Sequence, residues 1–179
     1  MLTIEKLSEL ITDKVEKCLL FFEISPLYKK DRNYCVIELG NRRYVLCGVY
    51  SAKEYIEFIH EAIPCDMSYR EFTEKLECTK EFVQLFRKRF FKKIELDCEE
   101  TNALIDEILS LDYSENADDC CGLDGFTLSA FLPETKQSFS FWCNYYNELN
   151  LPLATLANKL LEDDGIVYPN NFHQKERPY

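Results

Sequence analysis

The sequence predicts an α+β protein, with antiparallel β-hairpins packed against about five helices, and three observations carry that prediction. Two pairs of β-rich runs are each joined by a short turn, one pair within Tyr34 to Cys47 and the other within Phe126 to Cys143. Five further stretches repeat apolar residues at helical spacing. At 46% hydrophobic and 14% aromatic residues, a chain of 179 residues can bury a substantial core, and five Gly and six Pro leave little for linkers. One domain over 1–179 accounts for the length.

The elements follow in order. Ile4, Leu7, Ile11, Val15, Cys18 or Leu19, and Phe22 share one helical face, so the first helix is predicted over about Ile4 to Phe22, capped by Thr3 and left at Ser25-Pro26. Tyr34 to Leu39 and Arg42 to Cys47 flank Gly40-Asn41, which suits a two-residue turn needing positive φ. Tyr34 and Val36 alternate with Cys35 and Ile37, so the pattern does not single out one buried face. Three helices then open on capping boxes: Ser51 with Glu54, Ser68 with Glu71, and Asp97 with Glu100. The second of these is predicted to be long, with Phe72, Leu76, Val83, Phe86 and Phe90 on one face. Asp112 to Asp124 reads as an acidic loop. A second strand pair spans about Phe126 to Leu132 and Ser138 to Cys143, and a last helix about Leu151 to Glu162, with Gly165 as a C-terminal stop. The order helix–hairpin–helix thus occurs twice, over 1–94 and 95–166, although residue identities do not repeat, and the tail 167–179 reads as loosely attached.

Charge is distributed unevenly. From Ile94 to Thr135 there are twelve Asp or Glu and no Lys or Arg, so this stretch holds the whole imbalance of a chain whose net charge is −11. It follows the basic run Arg87, Lys88, Arg89, Lys92 and Lys93. A field concentrated this way repels nucleic acid or attracts a basic protein. The basic run, with Phe90 and Phe91 inside it, is too short to hold a nucleic acid against that field and reads better as a helix end, where cations meet the negative dipole terminus.

The nine cysteines are odd in number and irregular in spacing, and several fall in apolar stripes, which points to reduced thiols in a cytoplasmic protein. Met1 to Lys17 alternates apolar and charged residues, unlike a signal peptide, and no apolar run reaches the roughly 18 residues of a membrane span. No metal is expected, because Cys120-Cys121 has no second close pair and Asp112 to Asp124 lacks calcium-loop spacing. Asp118, Asp119 and Asp124 oppose a thiolate at Cys120 or Cys121, and no P-loop, G-x-S-x-G or dinucleotide fingerprint is present. No catalytic residue and no cofactor are therefore expected.

Leu123-Asp124-Gly125-Phe126-Thr127-Leu128, then Phe139-Ser140-Phe141-Trp142-Cys143, then the Leu-rich helix from Leu151 form a layout that resembles bacterial immunity proteins of contact-dependent growth inhibition and other polymorphic toxin systems. The resemblance covers roughly residues 97–163; the N-terminal half carries none. It implies a cytoplasmic inhibitor that binds and occludes a cognate toxin C-terminal domain, often a basic nuclease. A docking surface for such a partner is expected at Asp112, Glu115, Asp118, Asp119 and Asp124, with Tyr113 as an amphipathic anchor. Two other classes compete: a small cytoplasmic enzyme whose site is assembled from distant acids or cysteines, and an adaptor that adds a partner strand to the hairpin edge of Tyr34 to Cys47.

Overall fold

A computed structural model describes residues 3–26, 31–64, 66–75, 77, 79–114, 126–142 and 148–163. Among them the elements run α1 (Ile4–Ile11), β1 (Lys17–Pro26), β2 (Asp31–Leu39), β3 (Arg42–Tyr50), α2 (Ala52–Ala62), α3 (Tyr69–Lys75), α4 (Lys80–Phe90), β4 (Phe91–Glu95), α5 (Glu99–Ser110), β5 (Phe126–Leu132), β6 (Gln137–Trp142) and α6 (Leu151–Asp163). The six strands form one antiparallel sheet in the order β4-β3-β2-β1-β5-β6, confirming the α+β class. β1 pairs with β2 on one side and β5 on the other, so both predicted hairpins extend a single sheet, the first as part of a three-strand meander.

The central strands are buried on both faces. Leu20, Phe22, Ile24, Tyr34, Val36, Val45 and Cys47 pack with Ile105 and Ile108 of α5 and Leu153, Leu156 and Leu160 of α6. Phe21, Cys35, Ile37 and Leu46 point the other way, into Leu7 and Ile11 of α1, Phe58 of α2, Phe72 of α3 and Phe82 and Phe86 of α4. The hairpin alternation names no single face because it serves both layers.

The same two-sided burial explains the largest departure from the sequence reading. The predicted helix over Ile4 to Phe22 stops at Ile11, and Lys17 onward is the strand at the centre of the sheet. A short, continuous apolar run fits a buried strand as well as a buried helix, so periodicity alone could not separate them. Val15, which completed the helical stripe, is 74% exposed. The end of α1 is capped from a distance. Gln84 Nε2 donates to Leu10 O (3.0 Å) and Ile11 O (3.2 Å), Arg87 Nη1 donates to Ile11 O (2.7 Å), and Lys80 Nζ donates to Thr12 O. Three side chains of α4 thereby satisfy carbonyls that another helical turn would otherwise have used. Register in β1 shifts at Leu19, which lies between Cys18 (opposite Ile37) and Leu20 (opposite Val36). The extra residue lets Leu19 and Leu20 face the same layer, as in a β-bulge.

The predicted long helix after Ser68 is divided as well. The Ser68–Glu71 box forms, with the Ser68 amide donating to Glu71 Oε2 (3.1 Å) and the Glu71 amide to Ser68 Oγ (3.3 Å), but α3 ends at Lys75. Thr79 caps a new helix by accepting from the Phe82 amide at 3.2 Å. The Ser51–Glu54 box is present in full. The third box is not. The cap of α5 is Cys98 rather than Asp97, and Glu100 instead accepts from Lys159 Nζ of α6 at 2.7 Å.

β4 was not anticipated. Phe91 leaves α4 directly into a strand that pairs with β3, with Ile94 opposite Val45 and Phe91 opposite Gly48. Glycine at 48 makes room for the Phe91 ring, because a Cβ there would lie 2.4 Å from Phe91 Cζ and the ring would have to move. Gly40 opens the β2–β3 turn with φ +62, as the two-residue connection requires.

Candidate functional site

The expected docking surface begins on α5. Thr101, Ile105 and Ile108 face the core, which turns Glu99, Glu100, Asp106 and Glu107 outward. Two of these acids are already neutralised: Asp106 accepts from Arg43 Nη2 of β3 at 2.7 Å, and Glu100 from Lys159 at 2.7 Å. Glu99, Glu107 and Asp112 form no ion pair among the described residues. Glu99 also lies at the positive end of the α5 dipole, which favours its charge locally. The bland reading, a solvated helix face, therefore covers part of the acidity but not all of it.

Asp112 has a structural duty. Its Oδ1 accepts from the Ser114 amide (2.9 Å) and from Gln137 Nε2 (3.0 Å), and these bonds hold its carboxyl below the usual carboxylate range. The first bond closes an Asx turn and the second ties the exit of α5 to the start of β6. Asp112 nonetheless remains exposed.

Tyr113 corrects the sequence expectation. It is 3% exposed and stacks face to face on Phe139, with ring centroids 3.7 Å apart and planes 3° apart. Burial, reinforced by the nearby charge of Glu107, pushes its phenol up to about 12. A ring held in the core cannot anchor a partner at the surface. Nothing in the local sequence distinguishes it from an exposed tyrosine, because the partner that buries it lies 26 positions away in β6. Glu115, Asp118, Asp119 and Asp124 lie outside the described residues, as do Cys120 and Cys121 and the tail 167–179.

Two cations of the basic run are spent within the fold, whereas Lys88, Arg89 and Lys92 are exposed. Arg87 grips Glu16 with both nitrogens (2.6 and 3.0 Å), and Lys93 reaches the same carboxylate at 2.9 Å. Burial opposes ionisation of Glu16, but hydrogen bonds from Arg87, the Asp13 amide and Lys93 outweigh it and lower its carboxyl to about 2. Phe90 packs against Tyr50, Phe58 and Phe86, and Phe91 against Phe86. These rings are part of the core, not a stacking platform for bases. The helix-end reading holds for Arg87, Lys88 and Arg89, which occupy the last turn of α4.

The adaptor reading also needs correction. β2 and β3 are interior strands, so the hairpin from Tyr34 to Cys47 offers no free edge; the outer strands of the sheet are β4 and β6.

One thiol stands apart from the core cysteines. Cys98 is exposed at the start of α5, beside a cavity of about 270 Å³ whose walls include Tyr34, Val45, Cys47, Leu96 and Lys159. Lys159 Nζ lies 3.5 Å from its sulfur. The amide end of α5 at Thr101, together with Lys159, holds the thiol below its usual range, so it forms thiolate more readily than an ordinary surface cysteine. The sequence contained half of that signal, a cysteine immediately before Glu99-Glu100 at a helix start; the lysine comes from α6. Among the described residues no group of three or more His, Cys, Asp or Glu is placed to hold a metal ion, and no helix is long and apolar enough to cross a membrane. Compared with known proteins, the chain matches no family model, no curated protein and no solved structure.

Proposed function

We propose that the protein is an immunity protein that binds a cognate basic toxin domain of the nuclease type in the cytoplasm and neutralises it by stoichiometric occlusion, without catalysing a reaction. The observation that carries this reading is the stretch from Ile94 to Thr135, twelve carboxylates without a Lys or Arg, on which α5 holds Glu99 and Glu107 outward with no cation to pair them among the described residues. Acids fixed on a packed helix give a directional negative field, which steers a basic partner and stands in for the phosphates that a nuclease binds. Asp112, Glu115, Asp118, Asp119 and Asp124 follow α5 in the sequence and add to that negative charge. Tyr113 is left out of the surface because it is buried.

The test is co-purification with, and inhibition of, the product of the adjacent reading frame as candidate toxin, followed by association rates measured across ionic strength. Reversing charge at Asp118 and Asp119, or at Glu99 and Glu107, is expected to slow association about tenfold or more at low salt and to flatten its salt dependence. Unchanged rates in both variants would refute the surface. Failure to bind and inhibit that candidate would refute the immunity function itself.

A second reading, a small thiol enzyme, rests on Cys98, Lys159 and the cavity they border. Alkylating Cys98 separates the two: an inhibitor that works through its acids keeps full toxin neutralisation after alkylation.

A further inference from the structure

Two thiols meet beside the bulge in the central strand pair. Cys18 Sγ lies 3.4 Å from Cys35 Sγ, in van der Waals contact, and both residues are unbonded cysteines. Both belong to the α1–α4 side of the sheet, where Cys35 is fully buried and Cys18 half-buried. Their meeting follows from register. Cys18 opposes Ile37 and Cys35 opposes Phe21, while Leu19 has no partner residue in the β1–β2 register between them. Cys35 lies two positions from Ile37 on β2, so the two thiols are diagonal neighbours on one face, beside the point where Leu19 interrupts the ladder.

We propose that Cys18 and Cys35 form a reversible disulfide when the protein meets a low-molecular-weight disulfide of the glutathione type. The sulfurs need to close by about 1.4 Å to reach the bonded distance of about 2.05 Å. A bulge is the place in a ladder that absorbs such a shift, because the extra residue there leaves the pairing already disrupted. The two thiols have distinct tasks. Burial, then contact with Cys18, pushes the Cys35 thiol up, so an outside reagent meets Cys18 first.

The Cys18 thiolate attacks one sulfur of the reagent, forming a mixed disulfide and expelling one reagent thiolate. Cys35 then gives up its proton and attacks the Cys18 sulfur, expelling the second reagent thiolate. Two protein thiols are oxidised by two electrons, the reagent is reduced to two thiols, and both protons leave on them. The Arg87 guanidinium favours the anion at Cys35 during the second step, while the Glu16 carboxylate paired with it acts in the opposite sense.

The experiment uses the full chain, exposed to oxidised glutathione, quenched in acid and digested with trypsin without reduction. Lys29, Lys30 and Arg32 separate the two cysteines, so they fall in different tryptic peptides. The expected product is a linked Cys18–Cys35 peptide pair lighter by two hydrogens than its separate halves, and dithiothreitol returns both halves. In C35S the reaction is expected to stop with glutathione retained on Cys18. If C35S does not fold, the wild-type map decides alone. Wild-type protein in which Cys18 keeps a glutathione adduct, stays unmodified or links to another cysteine would overturn the proposal.

Discussion

Glu16→Gln removes the one carboxylate shared by Arg87 and Lys93, and its cost can be worked from the structure. The Glu16 side chain is 3% exposed and that of Arg87 14%, so solvent screens their pairing little. Lowering the carboxyl from 4.5 to about 2 corresponds to about 3 kcal/mol of folded-state preference for the anion. The neutral amide also leaves Arg87 partly uncompensated in a buried setting, so the expected loss at pH 7 is about 3–5 kcal/mol. The sign follows from linkage. A carboxyl depressed by folding contributes stability that is complete above its unfolded value of 4.5 and is lost as pH falls toward about 2. At pH 3 only about 1.4 kcal/mol of the ionisation contribution should survive. Urea unfolding of wild type and variant at pH 7 and pH 3 measures both numbers. A loss below about 1 kcal/mol at pH 7, or a gap that fails to shrink at pH 3, would refute the assignment of Glu16 as the ionic link from the α1–β1 connection to α4 and β4.

Other consequences concern packing and the exposed thiol. The Tyr113 hydroxyl is buried without a hydrogen-bond partner among the described residues, so Tyr113→Phe should leave stability unchanged or raise it by up to about 1 kcal/mol, whereas Tyr113→Ala should cost about 3–5 kcal/mol; urea midpoints check both. Gly48→Ala places a methyl 2.4 Å from Phe91 Cζ and should cost about 1–3 kcal/mol in the same assay, and a neutral result would mean that Phe91 moves freely. Lys159→Met should shift the pH profile of Cys98 alkylation by iodoacetamide upward and slow the reaction at pH 7; an unchanged profile would show that Lys159 does not act on the thiol.

Much of the fold was legible residue by residue wherever the signal was local. Thr3 and the Ser51–Glu54 and Ser68–Glu71 boxes cap their helices as their spacing indicates, because the partner amide lies three positions on. Gly40-Asn41 makes the β2–β3 turn, and the second strand pair lies within a residue of its predicted ends. The docking surface was legible only as charge. Asp112 shows why: its exposure agrees with the expectation, yet its bonds to Ser114 and Gln137 give it a structural role that composition does not reveal.

The sequence by itself determined the α+β class, the caps at Thr3, Ser51 and Ser68, the turns and the place of the acidic stretch, because each depends on neighbours a few positions apart or on summed charge. Tertiary structure decided the rest. It made Lys17 to Pro26 a strand, because an apolar run becomes a central strand only when β2 and β5 flank it and helices cover both its faces. It set Arg87 against Glu16, 71 positions away, and so took that cation out of the basic run. It also turned Tyr113 inward onto Phe139. Burial and pairing between distant residues are properties of the packed chain, and local pattern does not encode which of several compatible partners a side chain will meet.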